Sequence, residues 1–558
     1  VLEALRSGED PLVLGRVYEA ALGEVGRNGA AAERKQRGTY LTPRWLVDRV
    51  LDLTLEPLIC DAGEDKILSL RVLDPACGSG EFLVASAERL AKRLSALRGG
   101  GTRRYRAALR WVCASCVHGV DRDAVAVALC RGALERLAGA GPGIGSGVVS
   151  GDGLLDDLPE VDVVVGNPPY LNRLERLTWR DRAEAAVLRE RFGEAAMAYT
   201  DVAWLFLLRA VQTVRPGGRV GLVLPQSVLG ARDAAGVRSA VASRASMTDL
   251  WLADSLVFGA SVHVCVPVLE VGGRSRMVRR WLGRSSSRLP DAAWVSGDGS
   301  WASLGAVGVP DVVIEGSGSL SDVADITADF RDQYYGLIGR IVQRRGGSAG
   351  SLAPLVTTGM LEVGRCAWGE RPCRFAGRTW AEPRVDLQQL PADMAAWASQ
   401  RRRPKILLAT QTRVLEAAVD ERGEWLPVTP IISILPRPGM DVWTLGAILC
   451  SPVLSAIAAR VSAGTGLSRE VIKLSARQVR ALPMPRRGCD EAGDLLRSAA
   501  ANGPDRDALL DRGARLVCRA YGLSDAATDE LVRWWWDRQR GRGSKSKDAV
   551  TSNRRRSG

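Results

Sequence analysis

Histidine is almost missing from this 558-residue chain: His118 and His263 are the only two. A multi-histidine metal site therefore has no ligands to draw on, and a histidine-centred triad has almost no candidates; no metal is expected. Lysine is nearly as scarce, 7 residues against 69 arginines, a bias that suggests GC-rich coding and names no organism. Long apolar runs are missing too. No stretch approaches the ~18–20 uninterrupted apolar residues of a membrane helix, and Val1–Pro11 lacks a basic start followed by an apolar core. No membrane partner and no secretory signal are expected. The 11 cysteines are odd in number and scattered, which reads as a reduced, cytoplasmic chain and not a disulfide framework.

What is present is ordinary globular material, 46% apolar and 25% charged, enough for about three to four domains at ~100–200 residues each. The net charge of +13 is uneven: residues 538–558 carry eight Lys/Arg and one Asp, so +7 of it sits at that end. Residues 1–37 read as a helical lead-in. Across 38–275, short apolar runs (Ile67–Leu73, Val117–Val120, Val161–Val165, Arg219–Leu224) alternate with segments of helical spacing (Phe82–Leu97, Asp123–Leu137, Val202–Val214). That alternation predicts a doubly wound α/β domain with a mainly parallel sheet. Residues 276–320 read as hairpins and linker, and 321–490 as a mixed α+β domain with strands at Ile406–Thr412 and Val428–Leu435 and a helix at Leu445–Val461. Residues 491–536 form a helical extension, and 537–558 a basic disordered tail.

The first chemical signal is Asp74-Pro75-Ala76-Cys77-Gly78-Ser79-Gly80 between a strand and a helix. Gly78 and Gly80 permit a tight turn and close backbone approach to a ligand. The third glycine of a dinucleotide fingerprint is missing, as is a Walker Lys-Ser/Thr, so a phosphate-cradling loop is not expected. Asp121 ends the second strand, where a carboxylate can accept from ribose hydroxyls, and Asp152 follows the third, placed to accept from an adenine amine. Together they describe an adenosine-binding crevice at the carboxyl edge of the sheet. Upstream, Thr42 and Pro43 read as the N-cap and first position of a helix.

The second signal is the apolar strand Val161–Val165 running into Gly166-Asn167-Pro168-Pro169-Tyr170. The Asn167 side-chain carbonyl and the Pro168 backbone carbonyl can accept both hydrogens of one planar NH₂ group. Consecutive prolines stiffen the loop, and Tyr170 offers a face for a planar base or amide.

In this order the motifs resemble the gamma class of S-adenosylmethionine-dependent DNA adenine-N6 methyltransferases, the TaqI-like restriction-modification enzymes. The resemblance covers roughly 38–271. It rests on Thr39-Tyr40-Leu41-Thr42-Pro43, Asp74–Gly80, Gly119-Val120-Asp121, Gly151-Asp152, Asn167–Tyr170, Trp204-Leu205-Phe206 and Pro216-Gly217-Gly218. It implies a Rossmann-like methyltransferase domain at 38–275 and a target recognition domain at 321–490. Thr39, Tyr40, Thr42, Asp74, Ala76, Cys77, Gly78, Gly80, Asp121 and Asp152 would bind S-adenosylmethionine. The target adenine would be rotated out of the duplex, with Asn167 and Pro168 holding its amino group and Tyr170 and Phe258 walling the base. Direct in-line transfer needs no histidine; a cytosine-C5 route would need a nucleophilic cysteine, and Cys77 lies in the wrong loop. Pro267 interrupts the run Val262–Val271 and predicts a shortened or edge strand. Cys113-x-x-Cys116 is read as buried thiols.

In the C-terminal half, Arg365, Arg371, Arg374, Arg378 and Arg384 interleave with Trp368, Phe375 and Trp380, a pattern suited to phosphate and groove contacts; a solvated basic face over core aromatics is the plainer alternative. Gln411, Arg413, Arg469 and Lys473 are further candidates for contacting double-stranded DNA. Other NH₂ substrates (cytosine N4, RNA adenine, protein glutamine) and a decayed DNA-binding protein remain open at this point. Only about 37 residues precede the first motif and no nuclease cluster is visible, so cleavage is expected of a separate endonuclease or defence-system subunit.

Overall fold

A computed structural model of the chain describes residues 10–18, 41–170, 182–197, 200–258, 262–294, 300–314, 318–328, 331–343, 351–464 and 470–541. It divides into two compact units, Val1–Gly305 and Ala306–Gly558; the division falls inside the 276–320 segment.

Ten strands build the sheet of the first unit: β1 (Val72–Asp74), β2 (Val117–Asp121), β3 (Val148–Ser150), β4 (Val161–Gly166), β5 (Val214–Leu222), β6 (Leu224–Pro225), β7 (Ala245–Leu252), β8 (Val264–Val271), β9 (Met277–Leu282) and β10 (Ser287–Ala293). Their order is β10-β9-β7-β8-β5-β4-β1-β2-β3, with β6 on β8. Strands β1 to β5 are parallel, and β8 runs antiparallel between β5 and β7. Helices Glu81–Leu97, Ala124–Ala138 and Val202–Thr213 lie among the crossovers. The expected Rossmann-like α/β class is the one observed. β4 is buried throughout and is mostly valine, as suits a parallel strand covered on both faces. Helix Glu81–Leu97 buries Leu83, Val84, Ala87, Leu90, Ala91 and Leu94, the three–four spacing that lays one stripe against the sheet. The chain goes from β1 to β2 and β3, then returns to β4 on the other side of β1. Between β1 and β4 the winding reverses, and such a switch point opens a crevice outside the carboxyl ends of the strands.

Two expectations for this unit are corrected. Ile67–Leu73 is not one strand: Glu64–Ser69 is a helix and only Val72–Asp74 pairs. Glu64 and Asp65 suit a helix N-terminus, and Ile67 and Leu70, both buried, are spaced for a helical turn. Pro267 does not end or expose β8, which is an interior strand. The β8 ladder pairs Gly221 with Val268 and resumes with Leu224 on Cys265. The register is unchanged across the gap, and the skipped rungs lie opposite Pro267 and Val266, where the proline has no N–H to give.

The second unit has one antiparallel sheet, ordered Ala324–Ala328, Ile432–Pro436, Lys405–Leu408, Ala417–Asp420, and a second four-stranded sheet containing Leu352–Val356 and Arg384–Asp386. Helices Asp490–Ala500, Arg506–Ala520 and Asp525–Arg540 share a core with the first of these sheets through Ala492, Leu496, Val517, Leu531 and Trp535. The expected single helix Leu445–Val461 is two, Val442–Leu449 and Pro452–Val461, bent by 54°. Ser451 caps the second by accepting from Leu454 N–H, and Pro452 takes its first position. Among the described residues no single helix is long and apolar enough to cross a membrane.

Candidate active site

Three loops meet at the carboxyl edge beside β1. Gly78 and Gly80 hold φ of 52° and 101°, which glycine alone adopts without strain. The carboxylate of Asp121 ties this turn down: its Oδ2 accepts from Gly78 N–H at 2.9 Å and its Oδ1 from Asp123 N–H at 2.9 Å. Asp74 is buried and accepts from Ala76 N–H at 3.1 Å. A side chain at Gly166 would strike Asp74 Oδ1 at 2.5 Å, and one at Gly153 would strike the Pro75 carbonyl at 1.9 Å, so β4 and the Asp152 loop close on the turn at backbone distance. Burial pushes the Asp74 carboxyl up to about 8, and Asp121 and Glu81 push it the same way. Burial likewise raises Asp121 and Glu81. The crevice is thus a Cβ-free cradle lined with crowded, desolvated carboxylates.

Two of the expected contacts are turned elsewhere. The Cys77 thiol is buried against Cys130, and that hydrogen bond together with burial raises its pKa, while its N–H donates to the Val120 carbonyl at 3.0 Å and its carbonyl accepts from Gly80 N–H at 2.9 Å. Asp152 accepts from Leu154 N–H at 2.9 Å and is paired with Arg122. Thr39 and Tyr40 lie outside the described residues. Burial also raises the thiols of Cys113 and Cys116, to about 12 and about 11, which keeps them uncharged.

One strand over, Asn167 follows β4 directly. Its Nδ2 donates to Thr42 Oγ1 at 3.1 Å, and its Oδ1 accepts from Tyr170 Oη at 2.5 Å. Tyr170 Oη also lies 3.1 Å from the Val223 carbonyl. Pro168 is buried. Tyr170 and Phe258 pack edge to face, centroids 6.5 Å apart at 69°; a stacked base would displace that contact. Thr42 does not cap the following helix: Arg44–Thr54 starts after Pro43 with no side-chain cap, and the hydroxyl is spent on Asn167.

Sequence reasoning missed residues 10–18. A side chain at Gly15 would meet Ser79 Cβ at 2.3 Å, and Tyr18 Oη donates to Asp123 at 2.9 Å, so this segment sits directly on the glycine turn. An isolated glycine directly after the run Leu12–Leu14 was the available signal.

Residues 9–280 match the N-6 DNA Methylase family. That stretch is just under half of the chain. Two relatives match part of the chain: the adenine-specific methyltransferase PglX of Streptomyces coelicolor, 28% identical over 228 residues (32% of this chain, 18% of that protein), and the type II restriction enzyme and methyltransferase RM.Eco57I of Escherichia coli, 23% identical over 264 residues (38% of this chain, 26% of that protein). The matches thus span about a quarter or less of those relatives' lengths. In fold, the chain resembles the type IIL restriction-modification enzyme MmeI solved in complex with DNA: TM-score 0.57, 12% identity, covering 91% of this chain and 80% of that one.

An N-6 DNA methylase implies S-adenosylmethionine. The crevice fits such a group: its sulfonium and ammonium charges would relieve the crowding of Asp74, Glu81 and Asp121, and the glycines admit it to backbone distance. The DNA candidates beyond the methylase domain separate into two kinds. Arg365 is pinned between Glu362 and Glu370, with its Nη atoms at 2.9 and 3.0 Å from the Glu370 oxygens, and Arg371 is paired with Glu362. Arg384 stacks on Trp368 at 4.5 Å, and Arg413 pairs with Glu470 at 3.0 Å. Arg374 and Arg378 are exposed on the hairpin Cys373–Phe375/Arg378–Trp380, and Gln411 and Lys473 are exposed directly opposite one another on a two-stranded ladder. Arg469 lies outside the described residues.

Proposed function

We propose that this chain is a site-specific DNA methyltransferase of the gamma, TaqI-like class. It transfers methyl from S-adenosylmethionine to adenine N6 in duplex DNA, as the modification component of a restriction-modification or phage-defence system in the cytoplasm. The observation that carries this reading is the Asn167 amide, held at the carboxyl end of β4 by Thr42 and Tyr170, one strand from the carboxylate-lined crevice. Both named relatives are adenine-specific or restriction-system methyltransferases.

S-adenosylmethionine, when bound, supplies a methyl group activated on sulfonium. The chain's own residues do the rest by positioning. Asp121 and the Gly78–Gly80 turn bind the nucleoside end, and Asp74 accepts at the cationic end. Asn167 Oδ1 and the Pro168 carbonyl accept the two N6 hydrogens, which turns the nitrogen lone pair out of conjugation and toward the donor. Tyr170 and Phe258 open to take the flipped base. These acceptors lie where positive charge develops on the attacking nitrogen, so they stabilise the transition state more than the ground state. Arg374, Arg378, Gln411 and Lys473 are the contacts offered to DNA.

The test is transfer of labelled methyl from S-adenosylmethionine to duplex DNA by the purified chain, with modified-base sequencing of DNA from a host that expresses it. N6-methyladenine at one recurring site is expected. Label on protein or RNA with none on DNA, or methyl on cytosine, overturns the reading.

A further inference from the structure

We infer that Thr42 is a positioning residue for Asn167, acting through the catalytic amide and not on substrate. The inference rests on the proposed function and adds to it the group that fixes the amide's direction. An asparagine amide carries an acceptor on one side and a donor on the other, and only the acceptor side can hold an adenine NH₂. Thr42 is buried, 6% exposed, and its hydroxyl accepts from Asn167 Nδ2 at 3.1 Å across 125 residues of chain. A threonine before Pro43 would ordinarily cap a helix; this one does not. Its oxygen is thus available to the amide, and with Nδ2 drawn to Thr42, Oδ1 is left facing the loop side, where Tyr170 Oη meets it at 2.5 Å. The Tyr170 hydroxyl has a second acceptor in the Val223 carbonyl at 3.1 Å and one proton to give. When an incoming amine donates to Oδ1, that proton can turn to Val223 without leaving a buried donor unpaired. Thr42 has no such substitute: without its oxygen the Nδ2 side of the amide loses its partner, and the side chain turns to find another.

The experiment compares wild type, Thr42→Val and Thr42→Ser. Valine keeps the branched shape and removes the acceptor, while serine keeps the acceptor. The expected result for Thr42→Val is a kcat loss of roughly 10- to 100-fold, the scale of a misplaced reacting group, with KM for S-adenosylmethionine within about twofold of wild type. Thr42→Ser should recover most of kcat. Crystal structures should show the Asn167 side chain rotated in the valine variant and unmoved in the serine variant. A raised cofactor KM with kcat intact makes Thr42 a cofactor contact and overturns the inference; so does an unmoved Asn167 in Thr42→Val. If wild type itself methylates no DNA, the functional reading fails, and the Asn167 orientation in the crystals still decides the role of Thr42.

Discussion

Two regions looked equally functional by residue type, and they differ in what their side chains are doing. In the Asn167–Tyr170 loop both polar side chains are tied to other members of the site: Asn167 to Thr42 and Tyr170, Tyr170 to Val223. In the Arg365–Arg384 region most of the positive charge is already spent. Arg365 and Arg371 are held by Glu362 and Glu370, and Arg384 lies on Trp368. An asparagine between a strand and two prolines has few structural reasons to exist. An arginine has many, because acidic and aromatic partners inside its own fold compete with any ligand. A run of arginines is therefore a weaker sign of DNA contact than the exposure of two of them, Arg374 and Arg378, on one hairpin.

The comparison breaks most sharply at Asn167. Asn167→Ala should lower methyl transfer by at least ~100-fold, the scale of removing one preorganised polar group, with cofactor binding by calorimetry nearly intact; robust methylation by this variant ends the assignment. Next comes the hairpin. Arg374→Ala with Arg378→Ala should weaken DNA binding and reduce the slope of log K against log salt by about 2, one counterion's worth for each lost phosphate contact. Arg365→Ala should do the opposite. It leaves the salt slope alone and lowers stability by ~1–3 kcal/mol in a denaturant titration, because two carboxylates lose a charged partner. A salt-slope change in Arg365→Ala would restore the basic-cluster reading.

A smaller effect tests the crevice. Asp74 keeps its proton in the folded state up to about pH 8, whereas an unfolded Asp loses it near pH ~4. The stability tied to that proton is complete below about pH 4 and is lost as pH rises through about 8. The cofactor-free protein should lose Tm over that window, and Asp74→Asn should lose less; parallel Tm profiles would contradict the raised pKa. Smallest of all, removal of residues 542–558 should lower DNA affinity at low salt, by less at high salt, and leave kcat at saturating DNA unchanged.

The methylase domain was legible because its signals are local. β2 and β4 end, and the helices at Glu81, Ala124 and Val202 begin, where apolar runs meet glycine or aspartate. What was not legible depends on contacts between distant segments. Nothing near Thr42 says that its hydroxyl leaves the helix cap for Asn167. The lead-in at Gly15 gives no sign that Ser79 is its neighbour. Pro267 read as a strand breaker because its partner strand was unknown: the missing N–H costs little where β5 gives way to β6. In the second unit, Glu362 and Glu370 stood beside the arginines in the sequence, and only folding showed which pairs close.

That interruption in the ladder has a use of its own. Between Gly221 and Leu224 the chain is released from β8, and Val223 turns both of its peptide groups toward the neighbouring strand and its loop. Its N–H goes to the Gly166 carbonyl at 2.9 Å and its carbonyl meets Tyr170. Val223 thus acts as a cross-brace, joining both ends of the reacting loop to the sheet.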